Sequence, residues 1–328
     1  MRRRKAYDAF TPATTLGGTY PAEPMSPYVV PKTETTTSPD AVPESIEVKQ
    51  PTPLKIQLHY GNWPLWLLIT PACTLHLGNV PFELIRWPKF FDPEMKQAAD
   101  RAMVLNPAPW IVVNGTPLTQ TTSIIKFCSD LAGLTPNDLF LASQVDSVIS
   151  ICMEFHEVWN AAILAGRNAH KEGDTNLVQK IVTKLNDVDG AKYFNHFEQL
   201  LVLNDCEKNP GFIVGNAMTT ADITLWKLVG TLSQDHSTSS PVLFWNREIT
   251  ERYPHLNELV CRMNAHPLLH NYVLELFPHG QGESPYPGRM ALPLEGCWPG
   301  MGFTLEPPDQ KWMRWWEEKF NLSWSHMD

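Results

Sequence analysis

The chain has 328 residues, a formal net charge of −9, 43% hydrophobic and 19% charged residues. That length allows two compact domains, the composition excludes a wholly disordered chain, and the acidic balance excludes a nucleic-acid binder, which needs a concentrated basic face. Cys73, Cys128, Cys152, Cys206, Cys261 and Cys297 stand apart with no CxxC pair, so neither a metal site nor a disulfide scaffold is expected, and the thiols read as free in a reducing compartment.

Residues 1–52 are dominated by Pro, Thr, Ser, Glu and Ala, with too few large apolar groups to offset the entropy of ordering, and read as a disordered extension. Arg2, Arg3, Arg4 and Lys5 open it, but no hydrophobic region follows, which excludes a secretory signal. A cytoplasmic location is expected, with a mitochondrial one as the alternative. Order begins at Leu54-Lys55-Ile56-Gln57-Leu58-His59-Tyr60, whose alternation of apolar and polar residues predicts a half-buried strand. The apolar run Trp63–Leu77 carries Pro64 and Pro71 and falls short of the roughly twenty residues of a membrane span, so it reads as a core segment with a helix over Leu65–Leu77.

Val80–Ile85 reads as a second strand, and the β-α-β order implies a parallel pair with a right-handed crossover. After a polar connection, Pro109–Val113 is a short buried strand, Asn114-Gly115 a tight turn, and Thr116–Leu118 the returning hairpin arm. A helix over Gln120–Leu131 follows, with Ile124, Ile125, Phe127, Cys128 and Leu131 on its apolar side.

Beyond Asn137 strand signals stop. Leu141, Val145, Val148, Ile149, Cys152 and Trp159 mark one face of a long helix, and further helical patterns run over Asn176–Leu185, Tyr193–Leu203, Ala221–Leu232 and Leu256–Ala265. The organisation is an extension over 1–52, an αβ domain over 53–134, an all-helical domain over 135–276, and a Pro/Gly/Trp-rich extension over 277–328. In the last of these, Trp312, Trp316 and Phe320 recur every fourth residue, so a terminal helix would present an aromatic stripe that its own domain or a partner must cover.

Three stretches in this order resemble the glutathione transferase family. Asn106-Pro107-Ala108-Pro109-Trp110-Ile111-Val112-Val113-Asn114-Gly115 through Gln120-Thr121 is similar to its proline, strand, turn and Gln-Ser helix start, with Thr in place of Ser. Gly211-Phe212-Ile213-Val214-Gly215-Asn216-Ala217-Met218-Thr219-Thr220-Ala221-Asp222 resembles its signature in the helical domain, and Arg252–Leu268 its closing helix. The resemblance implies an α/β plus all-α fold: a thioredoxin-like domain followed by an all-helical glutathione-transferase C-terminal domain.

The resemblance also implies a site. Tyr60, at the end of the first strand, would donate to the glutathione sulfur. Ala108, before a cis Pro109, would pair with the peptide as an added strand, and Gln120 and Thr121 would hold the γ-glutamyl carboxylate at a helix N-terminus. Asp146 matches an acidic residue lining the family's dimer cleft, Trp87 and Lys89 stand near the place for the glycine carboxylate, and Phe155 or Trp159 would line a second, hydrophobic site. Thr219 and Asp222 would form a structural capping box. Cys73, inside a helix, reads as a buried structural thiol.

Glutathione is thus the expected co-substrate and a hydrophobic electrophile its partner, with no metal, no nucleic acid and no membrane span. A homodimer is expected, or a subunit of a larger complex held through the terminal extensions. The sequence departs from the family's pattern at Gly61–Trp66 and at Pro71-Ala72-Cys73, which supports a second reading: a non-catalytic structural subunit of a larger, mitochondrial assembly.

Overall fold

In a computed structural model, residues 54–61, 66–87, 93–102, 109–204, 211–232, 252–276, 297–298, 303–304 and 310–322 are described. The extension over 1–52 lies outside them. Four strands, β1 (Ile56–Gly61), β2 (Glu83–Trp87), β3 (Trp110–Val113) and β4 (Thr116–Leu118), form one sheet in the order β2-β1-β3-β4. β1 and β2 are parallel, and β1/β3 and β3/β4 antiparallel. The expected alternation holds in β1, where Ile56 and Leu58 are buried and Gln57 and His59 lie on the other face, half-buried.

Helix α1 (Trp66–Leu77) joins β1 to β2 and carries Pro71 internally. It is apolar nearly all round, as a helix covered on several sides must be. Leu68, Ile69, Ala72, Cys73 and Leu75 are all buried, and α1 packs on α3 (Thr121–Ala132), α7 (Thr220–Leu232) and α9 (Pro267–Leu276). The approach to α3 is closest at Gly78, where a Cβ would lie 2.4 Å from the Ala132 Cα. Gly78→Ala must therefore push backbone off backbone. A loss of about 1–3 kcal/mol is expected, read as a lowered urea midpoint at unchanged m-value; an unchanged midpoint would mean the two helices do not meet this closely.

The second strand begins later than the apolar pattern suggests. The Val80 amide donates to the Leu75 carbonyl at 2.9 Å, so Val80 belongs to the exit turn of α1 and pairing starts at Glu83. The polar connection after it contains α2 (Pro93–Arg101), whose only buried side chains are Met95 and Ala99. The β3–β4 turn has the predicted form, with Asn114 and Gly115 at φ 48° and 85°.

The helical part comprises α4 (Leu139–Lys171), α5 (Thr175–Lys184), a π turn (Leu185–Asp189), α6 (Gly190–Leu203), α7, α8 (Pro254–Asn264) and α9. Among the described helices α4 is long and apolar enough to cross a membrane, but Val145, Val148, Ile149, Cys152, Phe155, Trp159 and Ile163 are buried in the protein core. Helix α7 is the axis of this part: every residue from Thr220 to Val229 is buried.

The start of α7 is built as its spacing predicts. The Thr219 amide and hydroxyl donate to the Asp222 carboxylate at 2.8 and 3.1 Å, and the Ala221 amide donates to the Thr219 hydroxyl at 3.3 Å. The carboxylate also receives the Ile213 amide at 2.8 Å, which ties the preceding loop to the helix start. Burial pushes the Asp222 carboxyl up to about 6, against these donors and Arg262.

The aromatic stripe near the end is covered by its own chain. Helix α10 (Gln310–Phe320) buries Trp312 and Trp316, and Phe212 lies edge-on or tilted to Trp315, Trp316 and Phe320. At the centre stands Arg262, 3% exposed, with its guanidinium 5.0, 5.4 and 5.9 Å from the rings of Trp312, Trp315 and Phe212. It donates to the Gly211 carbonyl. Gly211 has φ 74°, and a Cβ there would run into the guanidinium at 2.8 Å, so both the backbone conformation and the space require glycine.

Candidate functional site

Strand register brings the sequence-predicted residues to one end of the sheet. Tyr60 is opposite Arg86 on β2, and His59 is opposite Trp110 on β3. Pro109, just before Trp110, is buried at the same end. On β4, Leu118 pairs with Ile111, so Thr119, Gln120 and Thr121 leave the sheet beside Pro109. Ala108, Lys89 and the side chain of Tyr60 lie outside the described residues.

The α3 N-terminus has two features of a ligand-binding turn. Gln120 has φ 71° and ψ 118°, a conformation that non-glycine residues avoid and that persists where surroundings impose it. No side chain caps the helix there, so its first amides and the positive end of its dipole face an acceptor from outside. Thr121 is 9% exposed.

An aromatic stack lies on the outer face of the sheet beside this end. The His59 ring is 4.6 Å from Trp110 at 14° and 6.1 Å from Trp87 at 25°. Among the described residues, neither His59 ring nitrogen nor the Trp87 indole N–H has a hydrogen-bond partner. Burial lowers the His59 pKa, partly offset by Glu83. Trp87 was placed here by proximity alone; His59 was missed, although its position next to Tyr60 on the opposite strand face was the available signal.

Other expected residues fall elsewhere. Asp146 on α4 pairs with Lys126 of α3 at 3.4 Å, both about half exposed, five residues along α3 from Thr121. Phe155 and Trp159 are 0% and 4% exposed, and Phe155 packs on Tyr193 and Phe194 at 5.2 Å. They belong to the core, not to a cleft wall. Cys73 is fully buried, and burial pushes its thiol up to about 12 despite the nearby Lys227, so it has no thiolate to offer at neutral pH. Among the described residues no cluster of metal-ligating side chains occurs.

Residues 166–275 match the family model described as glutathione S-transferase, C-terminal domain, directly behind a sheet of thioredoxin-like order. That stretch carries a glutathione S-transferase C-terminal domain. Its fold is similar to that of solved glutathione transferases at low identity. Na-GST-3 from the hookworm Necator americanus, described as monomeric, shares 19% identity at TM-score 0.55, covering 69% of this chain and 99% of its own. The enzyme of Ascaris lumbricoides shares 18% at TM-score 0.55, with 71% and 100% covered. A glutathione transferase of Methylobacterium radiotolerans, solved with glutathione sulfonate, shares 17% at TM-score 0.52, with 72% and 99% covered. No curated relative matches the chain.

Like these structures, the chain has a thioredoxin-like part made of the β2-β1-β3-β4 sheet with α1 and α3 on its buried face, followed by a helical part from α4 onward. The capping box at Thr219 and Asp222 lies inside the matched region, where its role is to fix the start of the central helix.

Proposed function

We propose that the chain binds glutathione at the end of the sheet marked by Tyr60, Pro109, Gln120 and Thr121, and conjugates its thiolate to hydrophobic electrophiles. The observation that carries this reading is the uncapped start of α3 beside the strained Gln120, at the sheet end where β1 ends and β3 begins. The amides of that turn suit a carboxylate, and the likeness in fold to an enzyme solved with glutathione sulfonate makes the γ-glutamyl group the natural occupant. Tyr60 would donate to the sulfur; a preference for the ionised form by two pKa units is worth about 2.7 kcal/mol. The thiolate then attacks an electrophilic carbon, forming the C–S bond as the bond from that carbon to its leaving group breaks and the leaving group departs with the electron pair. Ala108 pairing with the peptide backbone, a homodimer with Asp146 at its cleft, and a cytoplasmic setting complete the proposal.

The non-catalytic alternative rests on the departures at Gly61–Trp66 and Pro71-Ala72-Cys73, on the N-terminal extension and on the aromatic end. Of the aromatic stripe, Trp312 and Trp316 are 7% and 1% exposed on the chain's own helices and Phe320 is 38% exposed, so the two tryptophans need no partner to cover them.

Calorimetry with the full chain and glutathione tests the proposal. Saturable binding is expected at micromolar to low millimolar glutathione. Thr121→Ala should weaken it about five- to tenfold, the loss of one hydrogen bond of roughly 1 kcal/mol, and Tyr60→Phe should raise the pKa of the bound thiol with little effect on affinity. Absence of any heat at millimolar glutathione would overturn the proposal.

A further inference from the structure

The strand ends around Tyr60 are joined on the outer face of the sheet by a small hydrophobic cluster, separate from the main core. Met95 and Ala99 of α2 bury Trp110 of β3 there, with Trp87 of β2 packed against them. Strand register adds His59 of β1. It is the cross-strand partner of Trp110, and theirs is the last pair of the β1–β3 ladder on the side of Tyr60 and Pro109. On β2 its direct partner is Ile85, so Trp87, two residues on, shares the face of His59 and lies diagonal to it.

The three rings form one stack. His59 is 4.6 Å from Trp110 and 6.1 Å from Trp87, and the two indoles are 6.5 Å apart at 26°. Past the His59–Trp110 pair the β1–β3 ladder stops, and it is there that Tyr60 follows on one strand and Pro109 precedes on the other. The spacing of these two is therefore fixed by the last pair before them. On its other side Tyr60 is held opposite Arg86 of β2, and Trp87 ties that strand into the same stack. The stack works through shape and not through polar bonds, because among the described residues neither His59 nitrogen nor the Trp87 N–H has a hydrogen-bond partner. Another flat ring at position 59 would serve as well. An aliphatic side chain would not, since the gain of such a pair comes from ring against ring.

Resting on the glutathione site proposed above, we infer that His59 is a positioning residue: stacked on Trp110 and Trp87, its ring sets where Tyr60 stands relative to the start of β3 at Pro109. What it governs is how well Tyr60 meets the sulfur, not how tightly the peptide is held.

Two substitutions in the full chain test this. His59→Phe keeps a flat ring, whereas His59→Val keeps the strand propensity and loses the ring. Without ligand, hydrogen exchange at the amides of residues 59–61 should quicken about threefold or more in His59→Val and stay native in His59→Phe, while Val112 and Val113, toward the other end of the ladder, are unchanged in both. With saturating glutathione, the pKa of the bound thiol, read from thiolate absorbance, should rise by about half a unit or more in His59→Val and stay native in His59→Phe. Affinity should remain within about twofold of native in both. A general loss of stability would instead quicken exchange at both ends of the ladder and leave the bound thiol as it was. Where the native chain binds glutathione, three results overturn the inference and leave the proposed site standing: a native thiol pKa in His59→Val, an equal rise in both variants, or exchange that is unchanged or quickens alike at both ends. No glutathione binding by the native chain overturns the proposed site itself, and the role of His59 with it.

Discussion

Replacing Trp316 by Ala should remove about 4 kcal/mol of stability, a large part of the roughly 5–15 kcal/mol that holds a folded domain. The expectation rests on the side chain's position. Trp316 is 1% exposed, meets His266 at 4.3 Å and Trp315 at 4.7 Å, and donates its indole N–H to the Arg262 carbonyl at 2.8 Å. Loss of a buried indole costs roughly 3–5 kcal/mol through transfer and cavity formation, and one of the two hydrogen bonds to the Arg262 carbonyl goes with it, the other coming from the Ala265 amide at 3.1 Å. The substitution also uncovers one side of the Arg262 site, where a buried guanidinium depends on surrounding rings and the Gly211 carbonyl. Trp315→Ala, at a half-buried position on the same helix, should cost clearly less. Urea unfolding of both variants decides the matter. Equal losses, or a loss below about 1 kcal/mol for Trp316→Ala, would mean that α10 is an appendage and not part of the domain.

That helix shows where sequence reasoning succeeds and where it stops. The four-residue spacing of Trp312, Trp316 and Phe320 announced an apolar stripe, because helical geometry fixes which residues share a face. What the stripe covers was not legible. Its partner is a basic residue near the end of α8, where a positive side chain ordinarily faces water and complements the helix dipole. Only the fold reveals that Arg262 turns inward. The capping box at Thr219 and Asp222 was fully legible because its bonds close within four residues. The Ile213 amide that also binds Asp222 was not, being nine residues away.

The same distinction applies at the site. Turn chemistry located the Asn114-Gly115 hairpin, and the strand pairing that follows from it delivers Gln120 and Thr121 beside Pro109. Helical periodicity placed Phe155 and Trp159 on α4 but could not say whether their side faces a cleft or the core; contacts with α6 settle it in favour of the core. Helix α2 escaped detection because burying only Met95 and Ala99 leaves too weak an apolar repeat. At His59 the signal was weak for another reason: a histidine alternating with Leu58 and Tyr60 reads as solvent-facing, and its stacking partners come from two other strands.

The pH dependence of stability should carry opposed contributions from His266 and Asp222, beside the lowered pKa values of His156 and Lys227 in the same helical part, and single substitutions should isolate the first two. His266 precedes α9 and accepts the Leu269 amide on Nδ1 at 3.4 Å; burial, with His76 nearby, lowers its pKa from 6.5 to about 3. A base with a depressed folded pKa stabilises fully above its unfolded value and loses that contribution as pH falls toward the folded one. Acidification from pH 7 to pH 4 therefore costs about 3 kcal/mol through His266. Asp222 acts in the other direction. Its carboxyl is raised from 3.8 to about 6, so its contribution is present at low pH and lost as pH rises through 6, and the same acidification returns about 2 kcal/mol. His266→Asn, which keeps a helix-capping acceptor, should cut the native protein's loss between pH 7 and pH 4 by about 3 kcal/mol. Asp222→Asn lowers stability throughout by turning one of the two oxygens that accept these three bonds into a donor, and should steepen the acid loss by about 2 kcal/mol. Urea midpoints at pH 4, 5, 6 and 7 for the three proteins give the slopes directly. Parallel curves would show that neither group titrates differently in the folded chain, whereas variant slopes displaced from the native one in opposite directions would assign these two contributions to His266 and Asp222.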